Sequence, residues 1–181
     1  MAGFGLRLAR SQGMEGFSGN LNEFDVSPSN TNAIFTGDPV ILNAGYLTAA
    51  TSTSAAILGV FMGCQYVDSN GDVVFRNQWD GGAGRTNIRA SVAMPPSSMF
   101  WVRGNAGVNF QQATSVGAAH PFVIAAGNTK YGDSRWSLGA PGAGPVRVHR
   151  LVDLPGNAWG TGGPILEVSV TLQTVTFSSA A

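Results

Sequence analysis

The longest apolar run in the chain lies between Ala55 and Val67: Ala-Ala-Ile-Leu-Gly-Val-Phe-Met-Gly-Cys-Gln-Tyr-Val, with no charge inside it. A helix and a buried strand both tolerate such a run. Gly59 and Gly63 would each weaken a helix interior by about 1 kcal/mol. The β-branched and aromatic content, followed directly by Asp68-Ser69-Asn70-Gly71-Asp72, favours a core strand that ends in a tight turn. The run predicts the central strand of the fold, and the rest of the chain is expected to pack on it.

Short strand signals surround it. Val40-Ile41-Leu42 and Tyr46-Leu47-Thr48 flank an Asn43-Ala44-Gly45 turn, which predicts a hairpin. Asn70-Gly71 is the strongest hairpin signal, with Val73-Val74-Phe75 as the return strand. Ile88 to Met94, Met99 to Arg103, Phe122 to Ile124 and Val146 to Val152 are further strand candidates. The last is the cleanest: Leu166, Val168, Val170 and Leu172 alternate with Glu167, Ser169, Thr171 and Gln173, so one face is apolar. Ser29 is a candidate cap for a short helical turn, and Asp80-Gly81-Gly82-Ala83-Gly84-Arg85 reads as a flexible loop. With no amphipathic helix of three turns and no internal repeat, the pattern predicts an all-β fold. The expected form is a compact antiparallel β-barrel or sandwich over residues 26–181. Residues 1–25, rich in Gly, Ser and Asn, are expected to form an extended N-terminal arm outside the core. Within the arm Phe4, Phe17 and Leu21 are candidate docking side chains; a frayed terminus is the competing reading.

With 181 residues the chain fits one domain that buries about 70% of its unfolded surface. Its charge is unusual: ten basic and ten acidic side chains make up only 11% of the residues, and Lys130 is the single lysine. A neutral surface cannot track phosphates, so nucleic acid is not expected as a partner. Few ionic groups would need desolvating in a standing protein contact. The first ten residues lack the apolar block of a secretory signal and no run reaches membrane-spanning length, so synthesis in a cytoplasm and no membrane partner are expected.

Candidate chemistry is sparse. Cys64, the only cysteine, sits inside the apolar run and reads as a small buried hydrophobe. His120 and His149 have no partner at metal-ligand spacing. Asp68 to Asp72 resembles the start of a calcium loop, but its glycine comes too early and Trp79 stands where the closing glutamate would fall. The glycine-rich loops lack a following Lys-Ser or Lys-Thr, and no Gly-x-Ser-x-Gly elbow occurs. No catalytic residue, metal or cofactor is therefore expected. Trp79, Trp101, Trp136 and Trp159 stand near loops. Burial or interface packing is their expected role, and glycan stacking by Trp136 and Trp159 the alternative. Met99, Phe100 and Trp101, beside Pro95-Pro96, form the best candidate interface patch, with core as the competing reading.

Gly37-Asp38-Pro39-Val40, then Ile57 to Asp72, then Trp79, together resemble a group of small virion proteins of tailed bacteriophages, the head decoration or cement proteins. The likeness covers roughly residues 33–104 and resumes weakly at Leu151 to Asn157 and in the last strand. It departs at Met94-Pro95-Pro96, where an acidic Asp-Asp-Pro is expected, and over residues 1–25. The resemblance implies a non-enzymatic, β-barrel-like protein on the outer surface of the capsid. Its partners would be neighbouring major capsid protein subunits, which it bridges, and further copies of itself as a homo-oligomer. A glycan-binding β-sandwich module of a phage tail or fibre is the alternative.

Overall fold

A computed structural model describes residues 3–11, 21–94 and 98–171. Its strands are β1 (Arg7–Ser11), β2 (Leu21–Asp25), β3 (Ile34–Phe35), β4 (Pro39–Asn43), β5 (Tyr46–Ala49), β6 (Gly59–Val67), β7 (Val73–Arg76), β8 (Gln78–Trp79), β9 (Thr86–Ala93), β10 (Ser98–Arg103), β11 (Ala119–His120), β12 (Phe122–Val123), β13 (Ser137–Leu138), β14 (Val146–Leu151) and β15 (Ile165–Val170). A single helical turn, Gln112–Ser115, is the only helix among the described residues. The fold is all-β and antiparallel, as the turn spacing predicts.

Two large sheets carry it. One runs β1-β10-β15-β14-β11; the other runs β2-β9-β6-β4-β5, with β7 also on β6. Both are open among the described residues, so the architecture is a sandwich. The predicted central strand is β6, paired with β9 along one edge and with β4 and β7 along the other. Its side chains serve two apolar clusters. Val60 joins Phe100, Val102, Val146, Val148, Leu166 and Val168 from the five-stranded sheet. Phe61, Cys64 and Tyr66 pack on the opposite side with Ile34, Leu47, Trp79 and Val92. A strand buried on both faces needs apolar residues at nearly every position, which is why the run is continuous and not alternating. Each such large side chain contributes about 1.5–3 kcal/mol by leaving water.

The turns follow their chemistry. Asp68 Oδ1 accepts the Asn70 and Asp72 N–H groups at 2.8 and 3.0 Å, which closes the β6–β7 hairpin and employs the carboxylate in a turn. Gly37-Asp38-Pro39 is a second device. Gly37 has φ +94°, which favours glycine; Asp38 Oδ2 accepts the Phe35 N–H at 2.8 Å, and the Phe61 N–H donates to the Asp38 carbonyl at 2.9 Å. The motif therefore fastens the entry of β4 to β6. At Ser29 no helical turn forms; the Asn30 N–H donates to the Ser27 carbonyl in a tight turn, and the Ser29 N–H to the Ser27 hydroxyl. The Asp80–Arg85 loop is braced by an ion pair between its two ends, with the Arg85 guanidinium 4.4 Å from the Tyr66 ring centroid.

The N-terminal segment corrects an expectation over its described part. Leu6 is buried in the first cluster, its N–H donates to the Gly37 carbonyl at 2.8 Å, β1 edges the five-stranded sheet and β2 edges the other. Residues 3–11 and 21–25 are thus part of the sandwich, because a sheet edge satisfies backbone groups that a free arm leaves to water. Phe17 lies outside the described residues.

Candidate functional site

Strand alternation decides what β10 shows to solvent. Phe100 and Val102 point inward, fully buried, and Trp101 points outward at 36% exposure. Phe100 is therefore core, which corrects its place in the predicted interface patch. Met99, though it shares the face of Trp101 by alternation, is only 3% exposed and pairs with Arg10 across the bulge in β1, so it too leaves the patch. Of the remaining candidates, Leu21 is exposed at 42% and Phe4 is half-buried.

Trp101 stands in a row that crosses four strands. It is the register partner of Arg7 on one side and of Glu167 on the other, and Glu167 is the partner of Arg150. The alternation of β15 sets Glu167 on the face opposite Leu166 and Val168. It lies on the outer face, yet its side chain is 2% exposed, held by Arg150 through Nη2–Oε2 at 2.9 Å and Nε–Oε1 at 3.3 Å. This bidentate hydrogen bond, with the carboxylate's charge, pushes the Arg150 guanidinium above its usual range. Further polar groups of the face are tethered as well. Arg7 pairs with Asp133 at 3.1 Å, Arg147 donates to the Gly117 carbonyl at 2.9 Å, and His149 Nε2 lies 2.8 Å from Ser169 Oγ. The outer face is a platform on which the exposed Trp101 ring stands among hydrogen-bonded and ion-paired side chains. Such a surface can stack and form hydrogen bonds.

A second exposed surface lies on the other sheet, where no local sequence pattern marks one. Val73 and Phe75 of β7 are 62% and 75% exposed, and Tyr131 is 61% exposed. Phe75 is the ridge between two shallow depressions. One, about 290 Å³, lies between Leu21 and Phe75 over Gly63. The other, about 370 Å³, is lined by Arg76, Lys130 and Tyr131 among others. Val73-Val74-Phe75 is apolar at every position and so reads as a buried strand; nothing in it marks which face is bare.

The groups with potential chemistry are occupied structurally. His120 is fully buried, stacked on Phe110, with Nδ1 2.9 Å from the Gly139 carbonyl and Nε2 3.2 Å from the Ser115 carbonyl. Burial pushes the Cys64 thiol up to about 11, against the opposing charges of Arg85 and Arg76. Burial also raises the Asp38 carboxyl, partly offset by hydrogen bonds from Ser134 and the Phe35 N–H. Trp79 is core, its Nε1–H donating to the Asn30 carbonyl at 3.0 Å. Trp136 is buried edge-on to Phe122, and Trp159 is half-buried against the first cluster. Trp136 therefore has no open face for a sugar to stack on. Among the described residues no three His, Cys, Asp or Glu side chains gather as metal ligands, and no helix is long and apolar enough to cross a membrane. Comparison with protein-family models, with curated proteins and with solved structures finds no match to this chain.

Proposed function

We propose that this chain is a non-enzymatic virion protein that decorates the outer surface of a tailed-phage head and cements neighbouring major capsid protein subunits. The observation that carries the reading is the Trp101 platform. It is an exposed aromatic side chain on a sheet face where Arg7 and Arg150 are already ion-paired, so docking there immobilises few further side chains. The charge-poor composition is compatible with lasting protein contact, and the resemblance of Gly37 to Trp79 to decoration proteins supplies the partner. In the structure those resembling residues pair β4 and β7 with β6, and end in β8, which pairs with β3, so the likeness rests on the segment that builds the centre of the sandwich.

The test is co-sedimentation of the purified protein with mature heads of its parent phage stripped of decoration, counting copies per head. Saturation at a number commensurate with icosahedral sites is the expected result, with Trp101→Ala folded but binding tenfold or more weakly. A folded protein that leaves the heads bare sinks the proposal.

A further inference from the structure

A protein that bridges two subunits needs two docking surfaces, and the second is the strand β7. β7 is paired with β6 alone. Its other edge carries no strand among the described residues, so every second N–H and C=O along it faces outward. Natural sheets guard such edges with inward charges, prolines or very short strands. This one instead bears Val73 and Phe75, the most exposed large apolar side chains described. Asp72 precedes the strand, but on the Tyr131 side of Phe75 the charge has one sign. The depression beside Phe75 is lined by Arg76 and Lys130 and by no carboxylate. Neither cation takes part in the ion pairs of the described residues, and Lys130 lies 5.4 Å from the Tyr131 ring centroid. Asp133, next to Gly132 of that lining, is held by Arg7. On the other side of Phe75 the floor is Gly63, at φ +145° and without a side chain, and the one carboxylate there, Glu23, is paired with Arg89 at 3.3 Å. Leu21 forms the far wall.

We infer that β7 receives an extended, acidic segment of a neighbouring major capsid subunit as an added strand. The segment's backbone would pair with the free edge and its carboxylates meet Arg76 and Lys130. An apolar side chain would settle against Phe75, on the Tyr131 side or over Gly63. The partner's chemistry follows from the charge: two free cations and two exposed aromatics favour a segment of carboxylates interleaved with apolar residues and repel a basic one. The inference rests on the head-decoration reading and adds the site and the class of segment bound.

The experiment uses the full chain and decoration-free heads as the probe. Wild type, Phe75→Ser and Arg76→Glu/Lys130→Glu are each checked for unchanged melting, then titrated onto heads at low and high salt, with amide exchange of Val73–Arg76 followed on the bound protein. Expected are a tenfold or greater loss of affinity in both variants, a weaker salt dependence in the charge-reversed one, and slowed exchange in β7. Wild-type binding matched by both variants, or β7 exchange unchanged on binding, overturns the inference and leaves head decoration standing. No binding of wild type overturns both. If Phe75→Ser abolishes self-association in sedimentation velocity while head binding is untouched, the occupant is a second copy and the capsid-segment inference falls.

Discussion

Trp101 and Phe75 are both aromatic and both exposed on a strand of a large sheet, yet their surroundings differ. Trp101 sits inside a four-strand row, between a paired Arg7 and a buried Glu167. Phe75 stands on an edge strand held from one side only, at about twice the exposure. The first surface is ordered before any partner arrives, so its contribution to binding comes from low entropic cost. Among the described residues the second has unpaired backbone and unpaired cations, so its contribution comes from bonds that a partner completes. A decoration protein with both would have one contact selected by shape and one by charge and strand pairing.

The comparison breaks if the platform is not rigidly supported. Phe100, directly behind Trp101 in sequence and fully buried, tests the support: Phe100→Ala is expected to cost about 3–5 kcal/mol in urea unfolding. A loss below 1 kcal/mol would mean that β10 is loosely packed and the platform soft. Next in size is Arg150→Ala, which leaves the Glu167 carboxylate buried without its bidentate partner and is expected to cost about 1–3 kcal/mol. Glu167→Gln/Arg150→Ala should recover part of that loss. Equal stability of the single and double variants would show that the buried charge is not what makes the row costly to disturb.

The β7 side is sharpened by labelling. Cys64 pairs in register with Arg76 and points to the core side of the same hairpin. With its thiol pushed up to about 11 by burial, native alkylation at pH 8 should run at least about a hundredfold slower than in the unfolded chain. Should β7 peel from β6 by itself, labelling would proceed at a rate indifferent to global stabilisers, and the edge would be a fraying end instead of a docking strand.

How far the sequence reaches is visible in the same elements. β6, its Asn70-Gly71 hairpin, the β4–β5 hairpin and β15 are legible because each carries its own local signal: a continuous run, a turn dipeptide, an alternation. β1 is not, although Leu6 and Leu8 alternate with Arg7, since two apolar residues specify nothing until the partner β10 is known. The burial of Glu167 depends on Arg150, which lies 17 positions away in sequence and one strand away in space. The site was half legible for a related reason. Alternation separates Phe100 from Trp101 once β10 is recognised, but the bareness of Phe75 depends on the absence of a neighbouring strand, which no local pattern records.

The smallest expected effect concerns Asp38, on the opposite edge of β6 from β9, where β4 enters. Its folded carboxyl titrates above the ordinary value of 3.8 because burial penalises the charge more than the Ser134 and Phe35 hydrogen bonds favour it. A carboxyl raised on folding stabilises the native state fully below the unfolded value and loses that contribution as pH rises through the folded one. At neutral pH the ionised group therefore works against the fold. Asp38→Asn keeps an oxygen to accept the Phe35 N–H and has no charge to bury. Other carboxylates titrate alike in both proteins, so the informative quantity is the stability of wild type minus that of Asp38→Asn. It should rise as pH is lowered from 7 toward 4, by much less than the cost of Phe100→Ala. A difference flat across that range would mean the carboxylate is as well solvated in the turn as in the unfolded chain, and that the Gly37-Asp38-Pro39 device fastens β4 to β6 at no electrostatic cost.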